Sequence, residues 1–255
     1  MHELRDYAQQ TLGLIDLTSL NDNDNDNIII SLCNKSKTTF GSTPAICIYS
    51  RFIPIAKNTL QTINPKVKIA TVTNFPHGSS DIEVAIFETE LAIKRGADEV
   101  DIVFPYHYLK QGNHIIGAQM IKKAKQVCGN KTLKVIIESG ELKTPELIKQ
   151  ASEISIENGA DFIKTSTGKV TINATLEATE IMLKVIKDSG KKCGFKAAGG
   201  IRTVLEAKAY LDLTANIMGK EWINANNFRF GASGLLTDVL NILNCNSSTT
   251  PSTSY

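Results

Sequence analysis

Residues 159–170, GADFIKTSTGKV, decide how this chain folds. Gly159 stops an amphipathic helix, Asp161, Phe162, Ile163 and Lys164 read as a short buried strand, and the Ser/Thr/Gly loop after it carries a second lysine, Lys169. The opening Gly-Ala-Asp also occurs at Gly96-Ala97-Asp98, again between the end of an amphipathic helix and an apolar run. One helix-to-strand joint used twice is the expectation.

Working outward, apolar runs over residues 45–49, 67–72, 99–105, 133–139, 193–197 and 228–233 read as further strands. Helical patterns alternate with them. Residues 3–14 form a short opening helix, Ser80 with Glu83 reads as a capping box for a helix ending at Gly96, and Thr144-Pro145 and Thr203 open two more. The run 211–225 has no clear period and leaves room for a short strand near Ile217. Roughly eight βα units in about 250 residues is the size of a (β/α)8 barrel. The fold expected is therefore α/β, a single-domain TIM barrel with a short N-terminal helical extension over residues 1–245, followed by a flexible polar tail over 246–255. A doubly wound sheet is the alternative, but no Gly-x-Gly-x-x-Gly follows the first strand.

Composition excludes several classes of function. Among 255 residues, 28 Lys and Arg nearly balance 26 Asp and Glu without basic runs, so neither nucleic acid nor a membrane surface is an expected partner. The N-terminus lacks the apolar core of a signal peptide, and five cysteines without CxxC spacing suit a reducing compartment; a cytoplasmic protein is expected. The run NDNDNDN at 21–27 imitates a calcium loop, but Asn27 and Cys33 stand where Gly and Glu are needed. Thr167-Gly168-Lys169 imitates a phosphate-binding P-loop, but Ile163 and Val170 break that pattern. The four histidines have no ligand-like spacing, so no metal or other cofactor is expected.

The feature to explain is a lysine inside an apolar strand, since Lys is rarely buried unless it is paired or neutral. Lys164 is either a nucleophile or the end of a structural ion pair. As a nucleophile it must be the free amine, which needs its pKa lowered by about 3 units, or roughly 4 kcal/mol. A second ammonium about 4 Å away supplies a similar amount. Lys196 in GFKAAGG is the natural neighbour, and Asp101, inside VDIVF, could move protons through a water. A barrel would bring all three to the mouth formed by its strand ends. Asp16, set between Ile15 and Leu17, and nearby Thr18 are further site candidates. Gly199-Gly200 and Gly231-Ala232-Ser233-Gly234 let backbone N–H groups approach an anion, with Lys169 and Arg202 adding charge, which points to a phosphorylated substrate. Cys47, near a strand end, reads either as a mouth-facing thiol or as core.

The runs DIVFPY, LKVIIESGEL, ASEISIENGADFIKTSTGKV, GFKAAGG and RFGAS resemble those of the 2-deoxyribose-5-phosphate aldolase family over nearly the whole chain. The resemblance implies a metal-free class I aldolase, an aldehyde-lyase that reversibly cleaves 2-deoxy-D-ribose 5-phosphate into D-glyceraldehyde 3-phosphate and acetaldehyde in deoxyribonucleoside catabolism. It makes Lys164 the Schiff-base lysine, Lys196 the group that lowers its pKa and Asp101 the proton-relay acid. It also matches Gly168, Lys169, Gly199, Gly200, Ser233 and Gly234 to phosphate-side positions and the terminal Tyr255 to a catalytic tyrosine, and implies a possible homodimer. Two positions depart: Ala197 stands where the bacterial pattern has Pro and could loosen Lys196, and Gly234 replaces a serine, which removes a hydroxyl from the phosphate side. Other readings are a different Schiff-base barrel such as a transaldolase, or a non-catalytic sugar-phosphate binder.

Overall fold

Each of the seven apolar runs becomes a short parallel strand paired with its neighbour in chain order, and an eighth strand at Ile15–Thr18, not read as one from the sequence, joins the first run to the last and closes the barrel. The computed structural model describes residues 2–245. The barrel strands are β1 (Ile15–Thr18), β2 (Ala45–Ile48), β3 (Lys68–Thr73), β4 (Glu99–Val103), β5 (Thr132–Ile136), β6 (Phe162–Lys164), β7 (Gly194–Ala198) and β8 (Phe228–Ala232). Closure runs through β1, where Asp16 is in register with Ala45 of β2 on one side and Gly231 of β8 on the other. The longer helices are α1 (His2–Leu12), which precedes the barrel, and then α2 (Asp26–Lys35), α3 (Ile53–Ile63), α4 (Ile82–Arg95), α5 (Ile115–Cys128), α6 (Pro145–Glu157), α7 (Leu176–Ser189), α8 (Val204–Met218) and α9 (Leu235–Asn244). This is the expected TIM barrel with its N-terminal helix. The tail 246–255, and with it Tyr255, lies outside the described residues.

Strand alternation sorts the side chains into two layers. Val100, Ile102, Leu133, Val135, Ile163, Phe195, Phe228 and Phe230 belong to the apolar core shared with the helices. Their strand neighbours Glu99, Asp101, Lys134, Lys164, Lys196 and Arg229 reach one another across the barrel interior. The two Gly-Ala-Asp joints have one geometry. Gly96 and Gly159 take φ of +104° and +102°, a left-handed conformation that ends each helix. Asp98 then accepts from the Ile69 N–H at 3.0 Å, and Asp161 from the Leu133 N–H at 2.8 Å, so each aspartate ties the incoming strand to the one before it.

Three local expectations need correction. Asp81, one residue nearer the helix than Ser80, caps α4 by accepting from the Val84 N–H, so the Ser80–Glu83 box does not form. Strand β5 stops at Ile136, because Glu138 takes a left-handed φ of +57° and a one-turn helix, Ser139–Leu142, follows. No strand forms near Ile217: buried Val204, Ala207, Leu211 and Thr214 keep α8 helical to Met218. That helix opens with a true capping box between Thr203 and Glu206.

Candidate active site

The inward-facing side chains of five neighbouring strands and of β1 build a charged floor inside the barrel. Asp101 on β4 is its hub. Its Oδ2 accepts from Lys164 Nζ at 2.9 Å and Lys196 Nζ at 2.8 Å, and its Oδ1 from Lys134 Nζ at 2.8 Å. Lys196 donates also to Asp16 Oδ2 at 2.5 Å, and Lys134 lies 2.5 Å from Glu99 Oε2. Arg229 completes the set by donating to Asp16 Oδ1 at 2.5 Å and Glu99 Oε1 at 3.1 Å. Asp16, Asp101, Lys134 and Lys196 have no exposure at all, and Lys164 retains 3 %.

Such burial is tolerable only because each charge meets an opposite one. Burial pushes the Asp101 carboxyl up, but Lys134, Lys164 and Lys196 outweigh it and hold the group well below the usual carboxylate range. Asp16 behaves alike: burial opposes its charge, and Lys196, Arg229 and Lys134 win. For Lys196 the burial penalty is overcome by Asp101 and Asp16, which raise it above the ordinary lysine range. Lys134 is raised by Asp101 and Glu99 against the same penalty. Asp16, Asp101, Lys134 and Lys196 thus hold their charges against burial.

Above it opens a cavity of about 370 Å³ lined by Thr18, Lys164, Gly168, Lys169, Gly199, Gly200, Arg202, Ser233 and Gly234, among others. Gly199 and Gly200 have φ of +85° and +89°, a conformation open to few other residues that leaves the backbone free to face an anion. The cavity also meets the N-terminus of the ten-residue α9 at Gly234, where helix dipole and free N–H groups favour negative charge. Lys169 is fixed at the rim by donating from Nζ to the Leu20 carbonyl at 2.6 Å. A wider groove of about 1240 Å³ between α2 and α9 joins it at Thr18 and Ser233.

The structure therefore brings together Lys164, Lys196, Asp101 and Asp16 in the floor, and Thr18, Gly168, Lys169, Gly199, Gly200, Ser233 and Gly234 around the cavity. Lys196 and Lys164 are neighbours through one carboxylate oxygen, Asp101 Oδ2, which accepts from both. Lys196 Nζ is held by two carboxylates, and Ala197 stays in register with Phe230. Cys47 is fully buried against Leu20, Ala70 and Val72, and burial pushes its thiol up, so it belongs to the core. Sequence reading missed Lys134, Glu99, Arg229 and Glu138. The first three were visible by the logic applied to Lys164, since each is a charge inside an apolar strand, and Glu99 falls two residues before Asp101 on the same face.

Comparison with known proteins finds the same fold elsewhere. A protein from Toxoplasma gondii described as a candidate deoxyribose-phosphate aldolase superposes with a TM-score of 0.86 over 95 % of this chain and 98 % of its own; at 22 % identity that likeness speaks to the fold. One from Coccidioides immitis, described in the same terms, reaches 0.81 at 26 % identity over 92 % of this chain and 86 % of its own. The protein QR15, described as an aldolase, reaches 0.76 at 28 % identity over 91 % and 96 %. Residues 11–236 match the model of the DeoC/LacD family of aldolases, so the chain belongs to that family and is an aldolase, a carbon–carbon lyase.

Proposed function

We propose that this aldolase reversibly cleaves 2-deoxy-D-ribose 5-phosphate to D-glyceraldehyde 3-phosphate and acetaldehyde through an imine on Lys164, a class I reaction serving deoxyribonucleoside catabolism. One observation carries the reading: among the described residues, Lys164 alone belongs both to the buried ion network and to the cavity lining. The other six charges of the floor, Lys134, Lys196 and Arg229 against Asp16, Glu99 and Asp101, cancel formally. Lys164 is thus the member that can give up its proton without leaving a carboxylate uncompensated.

In this reading the Lys164 amine adds to the C1 aldehyde of the open-chain sugar, and loss of water gives an iminium. A base takes the proton from the 3-hydroxyl, the C2–C3 bond breaks, and its electron pair moves into the iminium to form an enamine, releasing glyceraldehyde 3-phosphate. Protonation at C2 and addition of water free acetaldehyde and return the amine. Asp101 touches Lys164 directly, which suits it to pass protons between that amine and the substrate through a water. Lys196 serves as the fixed positive charge beside it, anchored by Asp16. The rim of Gly168, Lys169, Gly199, Gly200, Ser233 and Gly234 receives the phosphate, and Tyr255 is the proposed proton carrier at the enamine carbon.

A retro-aldol assay tests this. With chelator present, 2-deoxyribose 5-phosphate should yield acetaldehyde and glyceraldehyde 3-phosphate in equal amounts. Activity confined to a ketose donor would replace the reading with a transaldolase, and silence on both would leave a sugar-phosphate binder.

A further inference from the structure

Glu138 lies outside the ion network, yet it is fully buried at the point where β5 leaves the barrel. Two features make it costly. Its backbone is left-handed at φ +57° and ψ +57°, which disfavours a residue with a Cβ, and its Oε2 is buried without a hydrogen-bond partner among the described residues. Such strain persists only where neighbouring structure enforces it. The enforcement is visible. Ser139 donates its N–H to the Thr165 carbonyl at 2.9 Å, and a Cβ on Gly140 would fall 1.9 Å from the Ile172 carbonyl oxygen, so the segment after β5 is pressed onto the segment after β6.

The remaining oxygen has one partner. Glu138 Oε1 accepts the Thr167 N–H at 3.1 Å, and Thr167 in turn holds its own loop, since its Oγ1 accepts from the Lys169 N–H at 3.0 Å. Thr167, Gly168 and Lys169 are three consecutive residues of the cavity wall. Through the left-handed turn, Glu138 thus reaches from behind and pins the backbone of the wall that carries Lys169.

We infer that Glu138 is a positioning residue that fixes the Thr167-Gly168-Lys169 backbone for recognition of the substrate's phosphate, without touching the reacting carbons. This inference rests on the phosphate reading of that rim. Lys164 lies close enough for its charge to act on Glu138, so an electrostatic influence on the nucleophile is the rival role. The two separate cleanly, because a clamp needs an acceptor oxygen and an electrostatic partner needs a charge.

Glu138→Gln keeps the acceptor and loses the charge; Glu138→Met keeps the length and loses both. After circular dichroism and thermal melting establish folding, each is assayed on 2-deoxyribose 5-phosphate and on unphosphorylated 2-deoxyribose. The expected result is a KM for the phosphorylated sugar raised about tenfold in Glu138→Met, the upper end for one net hydrogen bond, and near wild type in Glu138→Gln. Neither kcat nor the KM for deoxyribose should change in either variant. Equal losses on both sugars, a Gln variant as impaired as the Met variant, or no change in the Met variant would each overturn the inference. Should Glu138→Met fail to fold, amide hydrogen exchange decides: the Thr167 N–H should be protected in wild type and in Glu138→Gln, and fast exchange there in wild type would overturn it. Lack of activity of the wild-type enzyme on the phosphorylated sugar would count against the proposed reaction instead, whatever the variants do.

Discussion

The floor of the barrel and the rim of its cavity both handle charge, but by opposite means. In the floor, charged side chains are buried, and each is fixed by a partner from another strand. At the rim, the backbone does most of the work through left-handed glycines and a helix N-terminus, with Lys169 adding one ammonium. A rigid set of buried charges suits bond making and breaking, because it needs no reorganisation when the substrate's charge changes. A partly open glycine rim suits binding of a compact anion. Substitutions in the floor should therefore act on turnover and stability, and substitutions at the rim on KM.

The sharpest contrast comes from Lys164→Met, which should lower turnover by more than about 10⁴-fold, as loss of a nucleophile does, while the phosphorylated sugar still binds the rim. Isothermal titration with the sugar phosphate checks the second half. Lys196→Leu comes next. It frees Asp101 Oδ2 from one of its two ammonium partners and leaves that oxygen to hold Lys164 as an ammonium, so imine formation should slow by about 10²-fold or more at pH 7 and much less at pH 10. An equal loss at both pH values would show that Lys196 acts by shape.

Stability offers a third contrast. Asp16→Asn leaves Lys196 and Arg229 buried with one carboxylate fewer, which should cost about 3–5 kcal/mol in denaturant unfolding. The pH dependence follows from the directions of the shifts. Asp16 and Asp101 are depressed in the fold, so their contribution is present above the unfolded carboxylate value near pH 4 and is lost as pH falls below it. Lys134 and Lys196 are raised, so theirs is present below about pH 10.5 and is lost as pH rises beyond it. Thermal melting should fall away on both sides of that window, and Asp16→Asn should flatten the acid side.

Rim changes are expected to be smaller. Lys169→Met should raise KM for the phosphorylated sugar about tenfold with little change for deoxyribose, the scale of one charge-assisted hydrogen bond. Smallest is Gly234→Ser. A Cβ at residue 234 meets nothing within 4 Å and its φ is −92°, so serine fits without strain, and its hydroxyl should improve binding of the phosphorylated sugar by about 0.5–1.5 kcal/mol. A gain of the same size for deoxyribose would place residue 234 away from the phosphate.

Much of this was legible in the sequence because the barrel repeats one local grammar. The Gly-Ala-Asp joints, the Thr144 and Thr203 caps and the apolar strands each signal themselves within a few residues. Errors arose where a local signal had two readings. Asp81 outcompeted Ser80 by a single position, and α8 stayed helical through a stretch whose period is blurred because its buried face includes Thr214. The candidate site divides in the same way. Lys164, Lys196 and Asp101 stand out as charges in apolar strands, but sequence places them in the mouth without saying what they touch. That Asp101 would stand between the two lysines, and that Lys134, Glu99 and Arg229 would complete the balance, depends on strand register across a closed barrel. Glu138 was hidden more deeply, since its role follows from a left-handed turn where the apolar pattern read as continued strand.

The most direct test is reductive trapping. Borohydride added to enzyme and acetaldehyde should leave an ethyl group on Lys164, located by peptide mapping, and the label should vanish in Lys164→Met while wild type treated without acetaldehyde stays unlabelled. A label on Lys169, Lys196 or Lys134 instead, or full turnover with no trapped lysine, would contradict a floor organised around Lys164 as the nucleophile.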